Sequence, residues 1–108
     1  MTGLAAVQAG ICGHHTTIGA ETGDGRQVTF TLETTCDNIE RLKERLAAQG
    51  TVDAYGEINP RAASTMVALA REAAICTDCI VPLAALKAMR VAAGLALPAD
   101  AAIAIQKD

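Results

Sequence analysis

The chain has 108 residues, about the length of one domain, so we expect residues 1–108 to form a single domain. Hydrophobic residues make up 51% of the chain but aromatic residues only 2%. The predicted core therefore consists of aliphatic side chains and is thin, because it lacks the large area that aromatic rings bury. A bound metal or self-association would supply further stability to such a core. The net charge is −3, with acidic and basic residues interspersed, which argues against a nucleic-acid partner.

The first apolar stretch, Leu4–Cys12, contains a predicted short strand over Ala5–Ala9 that Gly10 closes. The stretch lacks a basic leader and is interrupted by Gln8 and Gly10, so it predicts neither a signal peptide nor a membrane span. We therefore expect no membrane association and a cytoplasmic protein. In that compartment thiols stay reduced, and clustered cysteines more often bind metal or carry out redox chemistry than crosslink the fold.

A β-hairpin is predicted next, because residues 16–21 and residues 27–33 flank a glycine-containing turn at residues 22–26. The second of these segments alternates polar and apolar residues. Its predicted buried face consists of Val28, Phe30 and Leu32.

Three helices are predicted in the second half of the chain. The first begins at Asp37, which forms a capping-box-like pair with Glu40, and ends at Gly50. The second runs from Pro60 to Ala74 after an Asn59 N-cap. The third follows Pro82 and ends near Gly94. The predicted core positions of the three helices are, in chain order, Ile39, Leu42, Leu46, Met66, Leu69, Ala73, Leu83, Leu86, Met89 and Ala93.

A final strand is predicted over Ala101–Ile105, which is rich in β-capable residues. The order of strands, then helices, then a possible strand favours an α+β fold. We expect a small, mostly antiparallel sheet, made of the hairpin plus edge strands, with three helices packed on one face.

Four cysteines are the residues most suggestive of function. Cys76 and Cys79 have the Cys-x-x-Cys spacing that lets two sulfurs reach one metal ion or one cluster. Cys12 and Cys36 each follow a predicted strand, and strand ends and helix starts can meet along one edge of such a fold. Four cysteines match the ligand count of an iron-sulfur cluster or of a closed zinc site.

The predicted helix starts favour the same interpretation. Cys36 precedes the first helix, and Cys76 and Cys79 precede the third, so the positive helix ends would face a negatively charged thiolate site. Helix N-termini also lower thiol pKa values. This argument applies equally to a redox-active dithiol, and buried cysteines that act only as small hydrophobic residues form the third alternative.

His14 and His15 follow Cys12 closely, and either one is a possible additional ligand or hydrogen-bond donor to a cluster sulfur. If the segment is extended, at most one of the two faces the site. A histidine in a loop is more often simply solvated or bonded to the backbone. Asp78 lies between the paired cysteines, but no Ser-His-Asp arrangement predicts hydrolysis, so the sequence favours a protein without catalytic activity.

The segments Ile11-Cys12-Gly13-His14-His15-Thr16-Thr17-Ile18 and Cys76-Thr77-Asp78-Cys79-Ile80-Val81-Pro82 resemble a family of small uncharacterised prokaryotic proteins, many from anaerobes. The resemblance extends over nearly the whole chain. It implies an oxygen-sensitive cofactor, but no established activity accompanies these motifs.

The sequence thus predicts a small iron-sulfur or zinc-binding protein whose ligands are Cys12, Cys36, Cys76 and Cys79. Its expected role is electron transfer, cluster delivery or service as an accessory subunit, with a protein partner or a homo-oligomer. Two alternatives remain open at this point. One is a thiol-disulfide redox protein that uses Cys76 and Cys79, and the other is a homo-oligomeric interaction domain with inert cysteines.

Overall fold

The fold is built on a four-stranded antiparallel sheet. The computed structural model describes all residues from Met1 to Asp108. Its strands lie side by side in chain order, so each pairs with its sequence neighbour. Their bounds are Thr2–Gln8 (β1), His15–Thr22 (β2), Gln27–Thr34 (β3) and Val52–Asp53 (β4).

The predicted hairpin is confirmed as β2 and β3, and Asp24 stabilises its turn. The Asp24 carboxylate accepts hydrogen bonds from the backbone N–H groups of Arg26 and Gln27, at 2.9 and 2.8 Å. These two hydrogen bonds hold the pKa of Asp24 below its ordinary value of 3.8, and a hydrogen bond from the Thr22 hydroxyl has a smaller effect in the same direction. The turn therefore fixes the register in which Ile18 lies opposite Leu32.

Only one face of the sheet is buried, because side chains alternate along each strand. Val28 and Leu32 are buried and Phe30 is half-buried, which confirms the predicted inner face of β3. The outer face carries threonine, glutamate and the exposed Leu4.

The helices pack on the inner face, as the sequence predicted for an α+β fold. Their bounds are Asp37–Gln49 (α1), Ala54–Glu57 (α2), Thr65–Glu72 (α3) and Val81–Ala92 (α4). Helix α4 lies across β1 and β2, α1 lies against β3, and α3 contacts both α1 and α4. The predicted fold class is confirmed, with the one-turn α2 as an addition.

Helix α1 begins at Asp37, as predicted, but the predicted capping box is not formed. Cys36 is the N-cap, Asp37 is the first helical residue, and no side chain caps the helix. The predicted core positions Ile39, Leu42 and Leu46 are buried.

The predicted second helix begins later than expected. Asn59 and Pro60 form a turn in which the Asn59 side chain accepts from the Arg61 N–H. Helix α3 begins only after Ser64, whose hydroxyl accepts from the Val67 N–H at 3.1 Å. The core positions in this helix are confirmed, because its apolar stripe is buried.

The third predicted helix is confirmed as α4, with Pro82 in its first turn and Gly94 just after its end. Leu83 was predicted in the core, but its side chain is 56% exposed. The buried stripe of α4 runs instead through Val81, Ala85, Ala88, Met89 and Ala92.

The predicted final strand is not formed. Residues 101–105 have no regular secondary structure and are exposed. The fourth strand is Val52–Asp53, which pairs with Gln27 and Val28. No helix of the fold has both the length and the apolar character that crossing a membrane requires.

Candidate functional site

The topology brings all four cysteines to one end of the molecule, called here the cysteine end. Cys12 lies between the end of β1 and the start of β2, and Cys36 follows the end of β3. Strand β1 begins at the opposite end, where Gly3 faces Ala88 and Ala92 near the end of α4. Helix α4 therefore runs opposite to β1, and its start lies at the cysteine end.

Cys12 occupies a tight turn between β1 and β2. Residues Gly10–Cys12 form a single turn of 3-10 helix, closed by a hydrogen bond of 2.9 Å from the Gly13 N–H to the Gly10 carbonyl. Gly10 and Gly13 have φ values of +85° and +72°, which favour glycine. The Cys12 thiol is exposed and lies 3.9 Å from the Ala9 carbonyl oxygen. Cys12 is thus accessible to a ligand from solvent.

Cys36 is the N-cap residue of α1 and is half-buried. Its N–H donates to the Thr34 hydroxyl at 3.1 Å, and its carbonyl accepts from the Glu40 N–H at 3.0 Å. Its side chain packs against the main hydrophobic core and makes no capping hydrogen bond. The backbone is therefore fixed while the sulfur remains free to coordinate.

The Cys-x-x-Cys pair forms the turn that leads into α4. The Cys79 N–H donates to the Cys76 carbonyl at 3.1 Å. Cys76 is exposed, whereas Cys79 is half-buried against the core. The pair thus presents one solvent-facing thiol and one sheltered thiol.

A polar bridge joins this turn to α1. The Asn38 side-chain amide donates to the Cys76 sulfur at 3.8 Å, and its oxygen accepts from the Arg41 guanidinium at 2.8 Å. Arg41 also donates to the carbonyls of Ala73 and Ala74, at 2.7 and 3.2 Å. Arg41 therefore holds the start of α1 beside the segment that carries Cys76.

Thr35, the residue before Cys36, joins the end of β3 to the two histidines that follow the Cys12 turn. Its hydroxyl lies 2.9 Å from His14 Nδ1 and accepts from the His15 N–H at 3.3 Å, while its own N–H donates to the His15 carbonyl. His14 is half-buried, and His15 is exposed at the start of β2. The two histidines thus have different surroundings, and His14 keeps Nε2 free of any hydrogen bond within the chain.

The electrostatics of Cys79 differ from what its place near a helix start suggests. Burial raises the pKa of the Cys79 thiol above its ordinary value of 9.0, and the charges of Cys36, Cys76 and Cys12 raise it further. A hydrogen bond from the Val81 N–H lowers the pKa but does not reverse the shift. The expected lowering of the thiol pKa by the helix start is therefore wrong for Cys79.

The other three cysteines act electrostatically on Cys79, but the four sulfurs do not form a group that could hold a metal ion. No three His, Cys, Asp or Glu side chains stand close enough together to hold a metal ion. Tetrahedral zinc, with bonds of about 2.3 Å, needs its sulfur ligands within roughly 4 Å of one another. Binding of one zinc ion by all four cysteines would thus require the segments that carry them to move closer together.

Sequence reasoning missed the residues that connect the cysteine segments, namely Thr35, Asn38 and Arg41. The spacing of Asn38 and Arg41 places them on one face of α1, which is a readable signal for their hydrogen bond. The bonds from Arg41 to carbonyls of the α3 C-terminus had no such signal, because they depend on how two helices pack.

Comparison with known proteins identifies the family. None of the curated proteins and none of the solved structures matches the chain. A family model matches residues 4–105, which include all four cysteines and both histidines. The chain belongs to this family, DUF6951, a family of unknown function.

Proposed function

We propose that this chain is a small iron-sulfur or metal-binding protein whose ligands are Cys12, Cys36, Cys76 and Cys79. The observation that carries the proposal is the convergence of three chain segments at the cysteine end, each of which contributes one or two cysteines. These segments are the β1–β2 turn, the N-cap of α1 and the turn before α4.

The local charges support an anionic group at this end. Four thiolates around an oxidised cubane or a zinc ion leave about two net negative charges. Helices α1 and α4 both begin here, and the positive ends of their dipoles stabilise such a charge. Neither N-cap residue makes a side-chain cap, and at α4 the Val81 N–H already bonds to Cys79, so both helix starts offer N–H groups to an anion.

The group that we propose at this site is an iron-sulfur cluster, with zinc as the alternative. In a cubane each cysteine binds a different iron atom, so the ligand sulfurs stand further apart than around a single zinc ion. We propose that His14, whose Nε2 makes no hydrogen bond within the chain, donates a hydrogen bond to a cluster sulfur or acts as an additional ligand.

The exposure of the proposed ligands favours a role in transferring electrons or a cluster to another protein. Cys12 and Cys76 are exposed, so a group bound at the cysteine end would lie at the surface. A surface cluster can exchange electrons with a docked partner or be handed to it. We therefore propose electron transfer, cluster delivery or an accessory role without catalysis, in the reducing cytoplasm.

Anaerobic purification followed by visible absorbance spectroscopy and by iron and sulfide analysis tests this proposal. We expect broad visible absorption, with iron and acid-labile sulfide in equal amounts. Each of the four single Cys→Ser variants should lose most of the iron. The control is Asp78→Asn, which changes a neighbour of two ligands without removing a sulfur, and it should keep its iron.

The results also distinguish zinc from iron. A colourless protein with one zinc ion per chain would support a structural metal site with the same ligands. A colourless, metal-free wild-type protein would contradict the proposal.

A second candidate function is thiol-disulfide exchange by Cys76 and Cys79. The observation that favours it is the turn in which an exposed thiol lies next to a sheltered one, since the exposed Cys76 could attack a substrate disulfide and Cys79 could resolve the mixed disulfide. The substrate disulfide would gain two electrons and two protons, and the pair would become a disulfide. A redox titration that depends on Cys76 and Cys79 but not on Cys12 or Cys36 would favour this function.

A further inference from the structure

Strand β1 has a free edge whose hydrogen-bonding groups meet no partner. Along β1, the backbone N–H and C=O groups of successive residues point alternately toward β2 and away from it. The Ala9 N–H donates to the His14 carbonyl, so the backbone N–H and C=O groups of the odd-numbered residues point toward β2. The N–H and C=O groups of Leu4, Ala6 and Gln8 therefore point away from the sheet, and no hydrogen bond in the structure engages them.

This edge lacks the devices that usually protect a free strand. Residues 2–8 contain no charged residue and no proline. Folded proteins commonly place lysine, proline or a bulge on an exposed edge to prevent pairing with another chain. The outward-facing Leu4 is also 84% exposed, which adds an apolar side chain beside the free edge.

The C-terminal segment 101–105 is a strand-like sequence without a partner. It consists of alanine and isoleucine, lies between Asp100 and Lys107, and contains no charge. Ile103 and Ile105 are 69% and 89% exposed, and the segment makes no hydrogen bond. The family match extends through residue 105, so the segment belongs to the family pattern.

The direction of the chain favours pairing with a second copy. Helix α4 ends at Ala92, directly over Gly3 at the start of β1. A tail that folded back along its own β1 would run in the same direction as β1 and pair in parallel. A second copy can offer its β1 in the opposite direction, which gives the more stable antiparallel pairing.

We propose that segment 101–105 of one copy pairs antiparallel with the free edge of β1 in a second copy, and that the exchange is reciprocal. Two tails then cover two free edges, and the dimer closes with two-fold symmetry. In the register that places Ile103 and Ile105 on the outer face, they cover the exposed Leu4. This inference is independent of the cysteines and stands or falls without the proposed function.

Light scattering coupled to size-exclusion chromatography of the full chain tests the proposal. We expect the wild type to have twice the mass of the 11.1 kDa chain. The double variant I103P/A104P removes two consecutive N–H groups, one on each side of the tail strand, and should be monomeric. Its control is Ala99→Pro, which places a second proline beside Pro98 but outside the segment and should leave the dimer intact.

The edge of β1 is tested separately by Ala6→Pro. This variant removes an N–H that faces away from β2, so the β1–β2 ladder keeps its hydrogen bonds while the dimer is lost. If circular dichroism shows that Ala6→Pro does not fold, Ala6→Lys replaces it, because a lysine on the edge opposes pairing and keeps the backbone donor.

Three outcomes would overturn the proposal. A wild type that stays monomeric from micromolar to millimolar concentration excludes the exchange. A dimer that survives in I103P/A104P uses another surface. A dimer that is lost in the tail variant but survives in folded edge variants places the tail somewhere other than β1.

Discussion

Ala74 is the one residue other than glycine with a positive φ, at 54°. It follows α3 as the left-handed residue of a Schellman motif, in which its N–H donates to Arg71 and the Ile75 N–H donates to Ala70. A β-carbon in this conformation is strained, whereas glycine is not. We expect Ala74→Gly to raise the free energy of unfolding by about 1 kcal/mol, measured by urea denaturation.

The end of α4 offers a matched control for this prediction. Gly94 has φ +74° and closes the same motif, with its N–H bonded to Val91 and the Leu95 N–H bonded to Arg90. Gly94→Ala should therefore destabilise the protein by a similar amount. If the two exchanges shift stability in the same direction, backbone strain does not explain the effect at either site.

At the residue scale, the sequence predicted which side chains are candidate ligands but not which contacts hold them in place. The Cys-x-x-Cys spacing identified Cys76 and Cys79, since a tight turn places residues three apart on one side. The position of Cys76 depends on Asn38, which lies 38 residues away. Such a contact arises from the packing of α1 against α3, and no local pattern encodes it.

The packing of α4 on β1 depends on a residue without a side chain. A β-carbon on Gly3 would overlap the carbonyl oxygen of Ala88, so the helix can lie this close only because position 3 is glycine. We expect Gly3→Ala to lower the free energy of unfolding by about 1–3 kcal/mol, because either the helix or the strand must shift. Chemical denaturation measures this change.

The control for Gly3 is Gly23→Ala in the β2–β3 turn. An added β-carbon there meets no atom within 4 Å, and the backbone does not have a positive φ. This variant should leave stability unchanged within about 0.5 kcal/mol. Equal losses in the two variants would mean that the tight contact between α4 and β1 is unimportant.

Elements with a periodic pattern were predictable, whereas those that depend on distant partners were not. The predicted helix start at Asn59 and Pro60 failed because α3 takes its cap from Ser64 and from Glu57, whose carboxylate accepts from the Thr65 N–H at 2.6 Å. A glutamate eight residues upstream is not a recognisable cap signal. The predicted strand at residues 101–105 failed because β-propensity forms no strand without a neighbour.

At the scale of the whole molecule, the core is built without a fully buried aromatic ring. Its largest fully buried side chains are aliphatic or methionine, and the only phenylalanine, Phe30, is half-buried. Composition alone predicted this thin core. Composition could not predict that the two hydrophobic clusters lie side by side along the sheet and share Ala5, Phe30 and Leu86 at their boundary.

If the proposed cluster is bound, a thin core and three separate cysteine segments would make the stability of the fold depend on it. Within the chain, contacts such as those of Thr35 and Asn38 join these segments, whereas a bound cluster would tie all of them through iron–sulfur bonds. A ligand that binds only the folded state at 100 times its Kd adds about 2.7 kcal/mol, which raises the Tm by roughly 10 °C or more in a chain of this size. We therefore expect anaerobic removal of the metal by a chelator to lower the Tm by at least that amount, measured by circular dichroism. The Cys36→Ser variant serves as the control, since it lacks one ligand and should unfold at the same temperature before and after chelation. An identical Tm for the wild type with and without its metal would show that the metal does not tie these segments together in the folded protein.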